Sequence, residues 1–325
     1  MARRIELQNP RRVTSDGASF RRPAWSPDGR RLVVEASGEA EGALYVVDAR
    51  GRVESRVGEG AEAAWSPDGA RLAFTRVGAD GRREIWLCDL AAHGEARRLA
   101  GGDGAAWEHP AWSPDGARIA CASDCGNSTG VRHLWIVDTV QGDRIRVTDQ
   151  PTRSDGHPSW SPDGRALAFD GDDREDDARE IDLFIHELSS GHETLLTDGT
   201  VACRRPAFID RRWLLAERRS VTGPALVVFD RDRDRVLPVG DRPDGEREPT
   251  VRVRTRHGKR PRIAVAYVRR GGAPERDTVW VAELGGLKVM TEAEAADEAL
   301  KAALAEVEAG APGAAALPTV GGSGG

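Results

Sequence analysis

Two histidines share one sequence context. His109 and His157 each precede a proline and stand three residues before a tryptophan (His109-Pro-Ala-Trp112, His157-Pro-Ser-Trp160). Imidazoles placed alike in separate units, with a carboxylate near, can hold a divalent metal, although a convincing site needs three protein ligands. The same position elsewhere in the chain reads as Arg22, Ala63, Arg205 and Glu248. Arg22 and Arg205, with Arg21 and Arg204 beside them, suit a carboxylate or a phosphate. The plainer alternative is local: imidazoles hydrogen-bonded to neighbours and guanidiniums paired with nearby Asp or Glu. Trp107 stands in a Gly-rich loop, 101–108. It reads either as an interface anchor or as a lid packed on Trp112. Asp170, Asp172 and Asp173 open an acidic stretch, 170–177, that could hold calcium through oxygen ligands. Its spacing departs from an EF-hand loop, and a solvated acidic loop is the simpler reading. Val251–Arg256 alternates apolar and basic residues, which puts Arg252, Arg254 and Arg256 on one strand face. If buried, those arginines need acidic partners. No nucleophile with a matching base stands out.

The elements that must position these residues come from a repeat. Ala-Trp-Ser-Pro-Asp-Gly occurs at Ala24–Gly29, Ala64–Gly69 and Ala111–Gly116, and as Ser-Trp-Ser-Pro-Asp-Gly at Ser159–Gly164. A period of roughly 40–50 residues is that of four-stranded propeller blades. In the third copy, His109–Ser113 reads as strand A, and Ser-Pro-Asp-Gly as the hairpin turn, with Gly116 in the left-handed position. Arg118–Ala122 reads as strand B, Leu134–Asp138 as strand C and Arg144–Val147 as strand D. The B and C runs are the most continuously apolar, as strands covered on both faces should be. Two degraded copies follow, at Pro206-Ala-Phe and Pro249-Thr-Val. The expected fold is an all-β, six-bladed propeller over residues 1–290, with blades starting near 23, 63, 110, 158, 206 and 249. Arg4–Thr14 is expected to close the last blade, which removes exposed edges. Residues 286–290 compete for that place. Thr291 and Glu294 form a capping box for a short helix at 291–310. A Gly/Ala-rich tail, 311–325, reads as disordered.

Composition narrows the setting. The 325 residues carry a net charge of −6, and pI near 5.8 disfavours nucleic acid. Residues 151–200 hold 13 acids against 4 bases, whereas 201–280 hold 19 Arg and one Lys against 11 acids. No run of 18 apolar residues is present, which excludes a transmembrane helix. The N-terminal residues lack the apolar core of a secretion signal, so a cytoplasmic location is expected. Cys88, Cys121, Cys125 and Cys203 make no metal-ligand pattern and read as reduced thiols.

The Pro-Ala-Trp-Ser-Pro-Asp-Gly units, followed by Arg-x-Leu/Ile, resemble the WD40-like PD40 repeat of TolB-type propellers and of the propeller domains of tricorn and prolyl-oligopeptidase-like peptidases. The resemblance spans roughly residues 4–290. It implies a stand-alone TolB-like propeller, because no G-x-S-x-G elbow accompanies it. The expected function is non-enzymatic binding of a protein partner at the top face and channel mouth, through Arg22, Trp107, His109, His157, Arg205 and Glu248. The alternative is a metal-assisted hydrolase or lyase acting on an anionic small molecule or polymer, with His109 and His157 as ligands. No cofactor is required by the first reading. The second places a divalent metal in the channel, and the 170–177 loop is the other candidate cation site.

Overall fold

The repeated turn closes each hairpin with the same bonds. The Ser66 hydroxyl donates to Asp68 (2.5 Å) and accepts the Arg71 amide (2.9 Å), while the Gly69 amide returns to the Ser66 carbonyl (2.9 Å). Gly69 has φ +70°, a region that glycine enters without cost. The pattern recurs at Ser26, Ser113 and Ser161. In the fifth copy Asp210 does the work alone, accepting the amides of Arg212 and Trp213, both at 2.8 Å.

The computed structural model describes residues 5–14, 19–37, 42–91, 95–173, 181–197, 202–220, 223–240, 246–256, 259–271 and 276–287. The expected helix at 291–310 and the tail lie outside them. In chain order the first strand is β1 (Glu6–Arg12). Blade one is β2 (Ser19–Trp25), β3 (Arg31–Ser37), β4 (Ala43–Asp48) and β5 (Val53–Glu59). Blade two is β6 (Ala61–Trp65), β7 (Arg71–Val77), β8 (Arg83–Asp89) and β9 (Ala96–Ala100). Blade three is β10 (Trp107–Trp112), β11 (Arg118–Ser123), β12 (His133–Asp138) and β13 (Arg144–Arg146). Blade four is β14 (Arg153–Trp160), β15 (Ala166–Asp173), β16 (Ile181–Glu187) and β17 (Glu193–Leu195). Blade five is β18 (Cys203–Phe208), β19 (Trp213–Ser220), β20 (Gly223–Asp230) and β21 (Arg235–Pro238). Blade six is β22 (Glu246–Arg256), β23 (Lys259–Gly271) and β24 (Arg276–Gly285), with β1 as its fourth strand.

Each blade is an antiparallel meander. The closing pair β1–β24 runs from Glu6↔Gly285 to Arg12↔Trp280. Beyond it, the Val13 amide reaches the Val279 carbonyl (2.8 Å), and the Thr14 hydroxyl accepts the Val279 amide (3.0 Å). The propeller falls in the compact unit Met1–Arg254 and Arg262–Val289. Among the described residues, no helix is long and apolar enough to cross a membrane.

The core lies in seams between neighbouring blades. Leu32, Val34 and Val47 of blade one pack with Ala266, Val268 and Val279 of blade six, so the ring of seams is complete. The motif tryptophans tie the seams. Trp65, Trp112 and Trp160 each donate Nε1–H to the carbonyl of the residue before the previous blade's tryptophan: Ala24 (3.1 Å), Ala64 (3.2 Å) and Ala111 (3.1 Å). Arg31, Arg71 and Arg118 lie over these rings at 5.0, 4.7 and 5.1 Å, within cation–π range. Trp25 faces blade six, which lacks the motif, and its buried Nε1 has no partner. There Arg252 serves instead, donating to the Pro27 carbonyl of blade one's turn (2.7 Å). The side chains of Arg254 and Arg256 are outside the described residues.

Candidate functional site: the channel mouth

Strand A of blades one to five shows one irregularity, a bulge two residues before the strand's closing Ala/Ser-Trp or Ala-Phe pair. The register shifts between Arg21 and Ala24, Ala61 and Ala64, Glu108 and Ala111, Gly156 and Ser159, and Arg204 and Ala207. A bulge leaves an extra residue outside the ladder and re-aims it. Proline fits that place because it has no amide to pair. The residue ahead of it takes positive φ: Arg22 (48°), Glu62 (56°), His109 (56°), His157 (46°), Arg205 (54°) and, in blade six, Glu248 (51°). For non-glycine residues such backbone costs of order 1–3 kcal/mol each, and persists only where the surroundings impose it.

The blade-two member is thus Glu62, a correction to the expected Ala63. Blade two has no proline in its motif, and Ala63 fills the proline's place. All six ring residues line one cavity of about 160 Å³, collared by Pro23, Ala63, Pro110, Pro158, Pro206 and Pro249.

The turned-in amides bind the neighbouring blade. The Arg22 amide donates to Glu248 (2.7 Å), His109 to Glu62 (3.0 Å), His157 to Nδ1 of His109 (3.4 Å), Arg205 to Asp170 (2.8 Å) and Glu248 to Glu217 (2.9 Å). Beneath the ring stand three buried carboxylates on the B strands: Glu35, Asp170 and Glu217. Arg22 is held by Glu35 (3.1 Å) and Glu62 (3.4 Å), and Arg21 also pairs with Glu35. Burial lowers the Arg22 pKa, but Glu62, Glu35 and Glu248 outweigh it, and the net shift is upward.

The two imidazoles stack, with centroids 3.7 Å apart and planes 27° apart. Asp170 lies 2.8 Å from His157 Nδ1, so that nitrogen carries the proton and Nε2 keeps its lone pair. That Nε2 is buried and has no hydrogen-bond partner. His109 Nδ1 accepts an amide, which leaves Nε2–H facing Glu62 (3.4 Å). Burial, then His157, pushes the His109 pKa down to about 4. Burial also lowers His157, outweighing Asp170. Burial alone would raise Glu62 and Asp170, yet the imidazoles and donors around them leave both far below the usual carboxylate range. At neutral pH the site holds neutral imidazoles beside anionic carboxylates.

The stacking bears on the alternative reading of His109 and His157 as metal ligands. With His109 Nδ1 taken by the His157 amide and its Nε2–H turned to Glu62, only His157 Nε2 offers a free lone pair, whereas a zinc-type site takes three protein ligands. Among the described residues no group of three His, Cys, Asp or Glu is arranged to hold an ion.

Trp107 is also displaced from its expected role. It is fully buried at the start of β10, tilted on Trp135 at 5.7 Å, with Nε1–H on Asp103 (3.2 Å) and Arg144 over its ring. It is seam core, neither a surface anchor nor a lid on Trp112. The acidic stretch divides: Asp170 belongs to β15 and serves the ring, Asp172 has one buried oxygen without a partner, and 174–177 lie outside the described residues. The four cysteines are free, three of them buried. The carboxylates Glu35, Asp170 and Glu217 went unread as ring supports. Their signal is an acid inside a doubly covered strand, where charge survives only with partners.

Residues 62–211 match the PD40 family, TolB beta propeller domain. No curated protein matches the chain. Among solved structures, TolB from Acinetobacter baumannii is similar at 22% identity and TM-score 0.60, over 73% of this chain and 58% of that one. This chain therefore spans less than two thirds of that TolB. A putative TolB from Agrobacterium tumefaciens is similar at 17% identity and TM-score 0.59, over 88% and 100%. An oligogalacturonate lyase in complex with manganese is similar at 13% identity and TM-score 0.57, over 86% and 95%. Such identities speak to fold alone. The chain is a six-bladed β-propeller of four-stranded blades, similar in fold to TolB, whose residues 62–211 match the PD40 family.

Proposed function

We propose that this propeller is a non-catalytic binding module that takes a segment of a protein partner at the channel mouth. The observation that carries this reading is the ring itself. Six residues sit in costly backbone conformations, cross-braced between blades, around a concave site that keeps a buried, unpartnered His157 Nε2. A pre-organised cavity with an unmet polar atom is what a ligand completes. The contacts are Arg22, Glu62, His109, His157, Arg205 and Glu248. TolB-like likeness supports a protein as the occupant, and a cytoplasmic setting suits four free thiols.

Affinity capture tests the proposal. Wild-type protein and a Val236→Ser variant on the exposed edge of blade five are expected to retain the same protein from the host's lysate. A His157→Asn/Arg205→Glu variant is expected to lose it at least ten-fold. Retention indifferent to the ring would overturn the reading.

A second reading is favoured by one observation. An imidazole fixed by a carboxylate with its far nitrogen bare, as His157 is by Asp170, has the arrangement of a general base. On this reading the propeller is a hydrolase or lyase on an anionic substrate in the channel, and the similar fold of the manganese-bound lyase supports it. Stoichiometric divalent metal, lost in His109→Asn/His157→Asn protein, would favour the enzyme. Metal-free protein that captures its partner through the ring would favour the binding module.

A further inference from the structure

Charge in the channel mouth is divided by blade. On one side the Arg22 guanidinium is taken up by Glu35 and Glu62, and Arg21 by Glu35. On the other side the Arg205 guanidinium has no hydrogen bond or ion pair with any described residue. Its backbone amide alone is engaged, by Asp170. The same cavity holds the bare Nε2 of His157, whose imidazole feels the charge of Arg205. No ring neighbour can satisfy that lone pair: His109 directs its Nε2–H at Glu62, and its Nδ1 already accepts the His157 amide. One cavity therefore holds a cation without an anion and a buried acceptor without a donor.

A carboxyl group meets both needs. One oxygen accepts from Arg205, as carboxylates do from guanidinium. The other shares a proton with His157 Nε2, whose far side is anchored by Asp170. We propose that the partner's anchor is a side-chain carboxylate of Asp or Glu, seated between Arg205 and His157, and that it enters with one proton drawn from solvent. This rests on the reading of the channel mouth as a protein-binding site.

The groups facing His157 set the balance. Asp170 on β15 and Glu62 on β6 favour its imidazolium; Arg205 on β18 and the stacked His109 on β10 oppose it. Burial outweighs these and decides for the neutral ring. An anion beside Nε2 cancels the opposition of Arg205, and the proton then completes an Asp170–His157–carboxylate chain. A phosphate would add a second negative charge facing Glu62 and Glu248 across the same small cavity, which disfavours it.

The test uses the full chain with its histidine imidazoles labelled with nitrogen-15, at pH 7. The probes are N-acetylglutamate and its neutral counterpart N-acetylglutamine. N-acetylglutamate is expected to convert His157 Nε2 saturably from an acceptor signal to a protonated one. N-acetylglutamine and sodium chloride at equal ionic strength are expected not to. Arg205→Gln, which removes a side chain bonded to no described residue, is expected to weaken the response at least ten-fold. Calorimetry on the captured partner in two buffers of different ionisation heat should then show uptake of one proton. A His157 signal unmoved by N-acetylglutamate, or moved equally by N-acetylglutamine or retained in Arg205→Gln, would overturn the proposal. Ring-dependent capture without proton uptake would sink the carboxylate while leaving the binding module standing. Capture indifferent to the ring would sink the module, and the N-acetylglutamate response would still decide whether this is a carboxylate site.

Discussion

Replacing Trp112 by Phe should cost more stability than the same change at Trp25, although both tryptophans belong to the same motif. Each substitution removes the same pyrrole edge and keeps a six-membered ring in place. Trp112 also loses its bond to the Ala64 carbonyl (3.2 Å) and weakens its contact with Arg71 at 4.7 Å. A net hydrogen bond is worth about 0.5–1.5 kcal/mol, and a cation–π contact at a partly exposed site about 0.5–1 kcal/mol. The buried Nε1 of Trp25 has no partner, so its removal relieves an unmet donor. The excess cost of Trp112→Phe is therefore about 1–2 kcal/mol from these two sources. Urea unfolding of both variants, read from midpoints with a shared slope, measures it. Trp65→Phe and Trp160→Phe carry the same bonds and should fall with Trp112→Phe. A Trp25→Phe variant as destabilised as the other three would refute the claim that these bonds tie the seams.

Acid should weaken the fold through the histidine stack. The His109 pKa is depressed in the folded state, from 6.5 to about 4, so the fold excludes its proton. The stability it contributes is present above 6.5 and is lost as pH falls from there toward 4. At 1.36 kcal/mol per pK unit the loss is about 3 kcal/mol. His109→Asn, which tolerates positive φ and keeps an acceptor for the His157 amide, should remove much of the decline between pH 7 and 4.5; equal declines in both proteins would contradict it. At position 205, where φ is 54° and the side chain bonds no described residue, Arg205→Asn should leave stability within about 0.5 kcal/mol. Arg205→Val should cost about 1–3 kcal/mol, because a branched Cβ is poorly accommodated there. Equal stabilities would remove the strain from the account. Gly51→Ala should also destabilise: at φ +89° its Cβ would fall 1.7 Å from the Val13 carbonyl oxygen, beside the closing strand β1.

The blades were legible because their chemistry is local. Pro, Asp and Gly at fixed offsets dictate a turn, and the two apolar runs after each turn can only be doubly covered strands. The site was legible only as far as the motif marked it. In five blades the ring residue stands before proline, so Arg22, His109, His157, Arg205 and Glu248 could be placed; in blade two the proline is absent, and the position slipped from Glu62 to Ala63. Trp107 misled because a Gly-rich stretch precedes it, whereas its ring completes a seam formed with residues of another blade. Stacking of His109 on His157, and the support of both by Glu62 and Asp170, depend on how adjacent blades meet. Spacing along the chain does not encode that angle.

The claim that the channel mouth is the binding surface is tested most directly by arginine footprinting of the complex. Phenylglyoxal labelling read by mass spectrometry compares Arg205, on the cavity wall, with Arg235, on the exposed edge strand of blade five. The bound partner is expected to protect Arg205 and to leave Arg235 reactive. A complex in which Arg205 labels as fast as in the free protein, while edge arginines are protected, would contradict it.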